Sequence, residues 1–341
     1  MLKARTKKTF FMKKKSALKM ACPCKSGNTY INCCKSFHDG NLPPTALELM
    51  RSRFSAYVLN RPAYIIATTH PSNPQFSWES KEWSKKISEF CINTDFKNLE
   101  ILHNQEKSPF ATVTFVVHLV QNKKNVFFTE TSYFEKMKDK WFYRSGQLAQ
   151  GRDTRLIPTH PLRILPLAYY GHPILRKVAD PIEAITPDLR ALVKEMIETM
   201  DGFDGIGLAA PQIHHSIQLF IIRKPVEAEG GKIEFKEVKV FINPKLSAPS
   251  RETWKVEEGC LSIPSIQAEV ERPKEITVEY LDLSGNPMKE RVSGWEARVI
   301  MHENDHVNGI LFIDHLEAKE RQYLEPLLES LQKILPNYTD L

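Results

Sequence analysis

The sequence predicts an α+β protein built as a small cysteine-rich knuckle, an α+β cone with a curved antiparallel sheet, and a second domain of strands around one helix. Three observations lead there. Apolar residues recur at helical spacing over 47–58 and then at a period of two from Leu99. Four cysteines crowd into residues 22–34, a segment too short for an apolar core. In the second half, an amphipathic stretch opening at Ser293 follows several short alternating runs that read as strands.

Each element follows from its residues. Residues 1–20 read as a flexible basic tail and 21–40 as the knuckle. The cone spans 41–147: Leu47, Met50, Phe54, Tyr57 and Val58 make one helix stripe, Pro62, Pro71 and Pro74 break the chain into loops, and Trp78–Phe90 reads as a second helix. Strands follow at Val113–Leu119, Val126–Phe134 and Trp141–Tyr143, closing near Gly146. Residues 148–161, with Gly151, Pro158 and Pro161, read as a linker. The second domain, 162–320, has a helix opened by Thr186-Pro187-Asp188 and strands at Ile217–Arg223, Val238–Asn243, Ile276–Leu283 and Pro287–Val292. Ser293 and Glu296 read as a capping box for a helix running to Asn308-Gly309, and 321–341 as a C-terminal helix or tail.

Charge is unevenly spread. Of 47 Lys+Arg, ten fall before the first carboxylate, Asp39, while the rest of the chain holds 37 against 41 Asp+Glu. A basic tip on a mildly acidic body suits a polyanionic partner such as ribosomal RNA. No run approaches the roughly 18–20 apolar residues that cross a bilayer, which argues against a membrane partner. The start lacks a secretory pattern, so a cytoplasmic location is expected, although an acid-free, Lys-rich start is also compatible with an organellar transit peptide.

Three segments carry chemistry. His302-Glu303-Asn304-Asp305-His306 places two imidazoles one helical turn apart with a carboxylate beside them, the arrangement that binds a metal and activates water. Glu258-Gly259-Cys260-Leu261-Ser262 supplies the one cysteine of the second half, a good third ligand for Zn(II) or Fe(II). Gly205-Ile206-Gly207-Leu208-Ala209-Ala210-Pro211-Gln212 allows close backbone approach, with Gln212 as an amide donor; it lacks the spacing of a nucleotide loop. Asp305 is expected to pair with Arg272. Ile206, Val256 and Val299 are candidates for an apolar substrate pocket.

The segments GIGLAAPQ, EGCLS and HENDH, in this order, resemble the three signature motifs of peptide deformylases, and the resemblance extends from about residue 165 to 316. It implies the deformylase fold, with antiparallel sheets around a central metal-binding helix. It also implies hydrolytic removal of formyl from the initiator methionine of nascent chains, with Cys260, His302 and His306 as metal ligands and Glu303 as general base. Gln212 and the Leu261 N–H would hold the oxyanion, and Gly207 would count with them and Glu303 among the catalytic residues. The family's usual metal is Fe(II), with Zn, Ni or Co able to substitute.

Cys22-Pro-Cys24 and, eight residues on, Cys33-Cys34 resemble the SEC-C zinc motif; four thiolates would close a structural Zn site, with His38 as a candidate substitute. Residues 22–146 resemble the YchJ-like family, similar to nuclear transport factor two, through Cys33-Cys34, His38-Asp39-Gly40, the run Leu49–Val58 and His70-Pro71. Conventional deformylases carry a basic C-terminal helix; here Lys319, Arg321 and Lys333 face five acids, so the basic tip is the expected ribosome tether. The competing readings are a general H-E-x-x-H endopeptidase and a zinc-bearing adaptor with a vestigial enzyme half. Cys260 argues against the first, and intact Glu303 and Gln212 against the second.

Overall fold

A computed structural model describes residues 20–158, 164–227 and 233–335. The basic tail through residue 19, residues 159–163 at the linker's end and the last six residues of the tail lie outside the described residues. The chain divides into two compact units, Met1–Pro161 and Leu162–Leu341.

In the first unit, a 3-10 turn at Tyr30–Asn32 leads into the helices α1 (Cys34–His38), α2 (Ala46–Val58), α3 (Pro62–Ala67) and α4 (Ser80–Ile92). Thr45 caps α2, its hydroxyl accepting the Glu48 N–H at 3.2 Å, a bond typically worth about 1 kcal/mol. Pro62, read from the sequence as a loop residue, instead begins α3. In the first helical turn its missing N–H costs nothing and its fixed φ is already helical.

Four strands follow as an antiparallel meander: β1 (Thr94–Lys107), β2 (Phe110–Gln121), β3 (Lys124–Met137) and β4 (Lys140–Gln150). Asn122-Lys123 and Lys138-Asp139 both have positive φ, which gives two-residue turns whose twist matches the strands they join. Register shifts in the β1–β2 and β3–β4 ladders add local bend to the sheet. Its inner face packs Val113, Phe115 and Phe134 against Leu49 and Phe54 of α2. β4 also runs past Gly146 into the segment expected to be linker. Its ladder continues to Gln150 opposite Phe128, and Thr131 then holds the Leu156 carbonyl at 2.6 Å.

The second unit contains α5 (Pro187–Gly202), β5 (Gly207–Ala209), β6 (Leu219–Glu227), β7 (Ile233–Ser247), β8 (Thr253–Cys260), β9 (Ile263–Pro273), β10 (Glu275–Leu281), β11 (Pro287–Ser293), α6 (Gly294–Val307) and α7 (Ala318–Ile334). A five-stranded sheet has the order β11-β10-β7-β6-β5, and β8–β9 form a separate hairpin. Thr186 caps α5 through the Leu189 N–H, with Pro187 in the first turn.

α6 is embedded in the main core, where Ala297, Val299, Ile300, Met301 and Val307 pack with Phe220, Phe241 and Val278 of the sheet. The larger of these side chains each contribute roughly 1.5–3 kcal/mol on burial, which anchors the helix in the core. The expected capping box does not form, and the Ser293 side chain accepts no bond from the helix. Glu296 is held instead by Lys239 at 3.0 Å, which also holds Glu290 at 2.8 Å. No helix among the described residues is long and apolar enough to cross a membrane.

Candidate metal centre

On α6, His302 and His306 lie one turn apart with ring centroids 5.2 Å from each other. The β8–β9 hairpin, which the sequence reading did not anticipate, ends β8 at Cys260 and sets its Sγ 3.2 Å from His306 Nε2. Donor atoms of Cys260, His302 and His306 all lie within 4.8 Å of one another.

Successive strand residues alternate faces, so Glu258 shares a face with Cys260. Its Oε2 stands 3.0 Å from His302 Nδ1, which fixes that ring's orientation and leaves Nε2 for a metal. Glu258 is gripped in turn by Arg272 at 2.6 and 3.0 Å and by Arg298 at 2.5 Å. Arg272 also donates to Asp305 at 2.8 Å, and His315 Nε2 lies 2.7 Å from the same oxygen. Burial alone would push the Glu258 carboxyl up, yet the bonds from His302 and Arg272 outweigh it and hold the group well below the usual range. The expected Asp305–Arg272 contact is thus one edge of a larger network. Sequence reasoning missed Glu258 and Arg298; an acid two residues before a strand cysteine was the available signal for the first.

Two residues stand around the cluster. Gln212 is 1% exposed, and its Oε1 accepts the Ala209 N–H at 2.8 Å. That bond turns Nε2 towards Ser262 Oγ at 3.3 Å and Cys260 Sγ at 3.6 Å. Glu303 is buried, its Oε2 without a hydrogen-bond partner. Burial, partly opposed by the His302 charge, raises its pKa to about 7. Gly207 is what lets this carboxylate in, since a Cβ there would stand 2.7 Å from Glu303 Cδ. Leu261 sits in the reversal just after Cys260. Of the pocket candidates, Ile206 is 37% exposed and Val299 is 5% exposed within the α6 core cluster, while Val256 is half-buried.

A divalent metal fits these residues. One thiolate and two imidazoles, one of them oriented by a carboxylate, are a donor set suited to Zn(II) or Fe(II). Electrostatics agree: although burial disfavours its charge, His302 is pushed well above the ordinary histidine range by the Cys260 sulfur and Glu258. His306 goes the other way: burial and the neighbouring His302 charge hold it well below the ordinary range, which favours the neutral ring that ligates a metal.

The knuckle presents a second donor set. Cys22, Cys24, Cys33 and Cys34 bring their sulfurs within 4.8 Å of one another. Cys24 and Cys33 are 3.6 Å apart, and Cys33 and Cys34 3.8 Å. Zn–S bonds of about 2.3 Å in a tetrahedron place sulfurs about 3.8 Å apart, whereas a disulfide holds them at about 2.05 Å. His38 does not join this set. Its Nδ1 is 2.8 Å from the Tyr30 hydroxyl and its Nε2 2.9 Å from the Ser52 carbonyl.

Comparison with known proteins adds to this geometry. The polypeptide deformylase family model matches residues 164–322, and the model of the YchJ middle, NTF2-like domain matches residues 45–146. A peptide deformylase of Psychrobacter cryohalolentis is 38% identical over 173 residues, covering 51% of this chain and 90% of that protein. One from Cytophaga hutchinsonii is 38% identical over 170 residues, covering 50% and 91%. A solved peptide deformylase from Ehrlichia chaffeensis has a TM-score of 0.46 and 33% identity, covering 50% of this chain and 97% of that one.

Proposed function

Because the chain belongs to the peptide deformylase family, we propose that its second unit hydrolyses the formyl group from N-formylmethionyl nascent polypeptides and releases formate. Cys260, His302 and His306 are the residues that would hold the metal, Fe(II) by family habit with Zn, Ni or Co as substitutes. Such an ion, when bound, supplies Lewis acidity and brings the pKa of water towards neutrality.

The chain's own groups do the rest. Glu303 takes the proton of the attacking water as its oxygen bonds to the formyl carbon, and returns a proton to the amine as the C–N bond breaks. Gln212 Nε2 and the Leu261 N–H stabilise negative charge on the formyl oxygen. Glu258 keeps His302 in the binding tautomer, with Arg272 and Asp305 behind it. Ile206, Val256 and Val299 form the apolar wall for the methionine side chain. The observation that carries this reading is the convergence of Cys260, His302 and His306 donor atoms within 4.8 Å of one another, beside a buried Glu303 carboxylate lodged against Gly207.

Anaerobic formate release from formyl-Met-Ala-Ser tests it. Glu303→Gln should lower the rate by roughly 10²–10⁴-fold. Cleavage of internal peptide bonds without preference for formyl-methionine would replace this reading with the endopeptidase one.

In the same proposal, the knuckle cysteines bind structural zinc and the basic tip tethers the enzyme to the ribosome in the cytoplasm. α7 is a poor substitute tether, because Glu320, Glu325 and Glu329 offset Lys319, Arg321 and Lys333 and leave no net positive charge to hold RNA phosphates. Full-length protein should co-sediment with ribosomes in a salt-sensitive way, and a chain starting at Leu162 should not. Equal, salt-insensitive binding by both removes the tether.

A further inference from the structure

The first unit contains a half-open cavity of about 540 Å³, within the range of roughly 300–1,000 Å³ typical of small-molecule sites. One wall consists of alternate residues of the sheet, among them Phe115 and Val117 of β2 and Phe128 of β3; α2 and α4 close the other side with Phe54, Trp83 and Phe90. Aromatic rings therefore surround the space from several elements. Glu130 of β3 lies among them on the same sheet face.

Glu130 is held in place from one side only. Its Oε1 accepts the Ser132 hydroxyl at 2.6 Å and the Tyr143 hydroxyl at 3.1 Å. Its Oε2 accepts no hydrogen bond from any described residue. β4 makes room for this group. A Cβ on Gly146 would stand 2.8 Å from the Tyr143 hydroxyl and 3.0 Å from Glu130 Cδ. Burial pushes the Glu130 carboxyl up, and the two hydroxyl donors and then the Arg53 charge pull it back.

Two cations line the cavity, and the charge of one of them, Arg53, acts on Glu130 without a hydrogen bond to it. Arg53 Nη1 donates to the Ile65 carbonyl at 2.9 Å, Thr68 Oγ1 at 2.7 Å and Thr69 Oγ1 at 3.1 Å, and its guanidinium lies over the Tyr143 ring at 4.7 Å. Lys86 is solvent-exposed and paired with Glu82 at 3.0 Å. What remains open is the second oxygen of a carboxylate at the side of an aromatic cage, which favours a positively charged donor both by hydrogen bonding and by attraction to ring faces.

We propose that this cavity binds a small amphipathic amine, its aromatic or alkyl body caged by the rings and its ammonium group donating to Glu130. The site is separate from the metal centre and independent of the deformylase reading.

The test is calorimetric titration of the full-length protein with three probes sharing one body: 4-phenylbutylamine, 4-phenylbutanol and 4-phenylbutanoate. The amine should bind one per chain, roughly tenfold or more tighter than the alcohol, and the acid no tighter than the alcohol. Glu130→Gln should bring the amine down to the alcohol's affinity while formate release by the second unit is unchanged. Glu130→Asp keeps the charge on a shorter arm and should retain part of the preference, which covers the case in which the glutamine variant fails to fold. Absence of saturable binding, equal affinity for the three probes, tighter binding of the acid, or an amine preference that survives Glu130→Gln would each overturn the proposal.

Discussion

Replacing Gly207 with alanine separates chemistry from folding. The added Cβ would stand 2.7 Å from Glu303 Cδ and 2.9 Å from Cγ, whereas carbon atoms settle at about 3.5–4.0 Å. The carboxyl must therefore withdraw by about 1 Å. A misplacement of that size costs on the order of 10²-fold in rate, about 2.7 kcal/mol of barrier. Stability should change by less than about 1 kcal/mol, because the atoms that must yield are the far end of one side chain and Gly207 lacks the positive φ that strains alanine. Formate release with formyl-Met-Ala-Ser, measured beside a thermal melt, distinguishes the two effects. A kcat within twofold of the wild type, or a loss that merely follows unfolding, would refute the role given to Gly207 and the placement of Glu303.

Three further outcomes are expected. Glu258→Gln leaves Arg272 and Arg298, 4% and 2% exposed, without their shared anion; breaking a buried pair costs about 3–5 kcal/mol, so the melting temperature should fall by roughly 6–20 °C with weaker metal retention. Cys24→Ser should reduce bound metal from two ions per chain to one while leaving the catalytic ion in place, as elemental analysis reads directly. His214 is lowered to about 4, by burial first and then by the neighbouring His172 ring. A folded pKa below the unfolded value near 6.5 means that its contribution is full above pH 6.5 and is lost as pH falls towards 4. Melting curves of wild type and His214→Asn, a residue that tolerates the local φ of 66°, should therefore converge on acidification.

What the sequence made legible was chemistry carried by local spacing. An i, i+4 histidine pair fixes a shared helix face, and Thr186-Pro187 marks a helix start whatever lies around it. The same holds for the crowding of four cysteines into the knuckle. Less legible was anything decided by partners distant in the chain. The Arg272–Asp305 pair is legible in the sequence, but Glu258 and Arg298, which complete its buried network from other elements, are not. Ser293 and Glu296 have the spacing of a capping box, but Lys239, 57 residues from Glu296, claims the carboxylate. The β8–β9 hairpin carries no Asn-Gly or Asp-Gly signal. Its reversal at Leu261-Ser262 became visible only with the ladder that pairs Cys260 with Ile263.

The central claim is that one sulfur and two ring nitrogens from two separate elements meet at a single ion. X-ray absorption at the iron edge, on protein loaded anaerobically with Fe(II), tests it most directly, since zinc in the knuckle does not contribute to that spectrum. The account predicts one sulfur and at least two imidazole nitrogens around iron, with the sulfur lost in Cys260→Ser and unaffected in Cys24→Ser. An iron environment of oxygen alone, or one unchanged by Cys260→Ser, would contradict it.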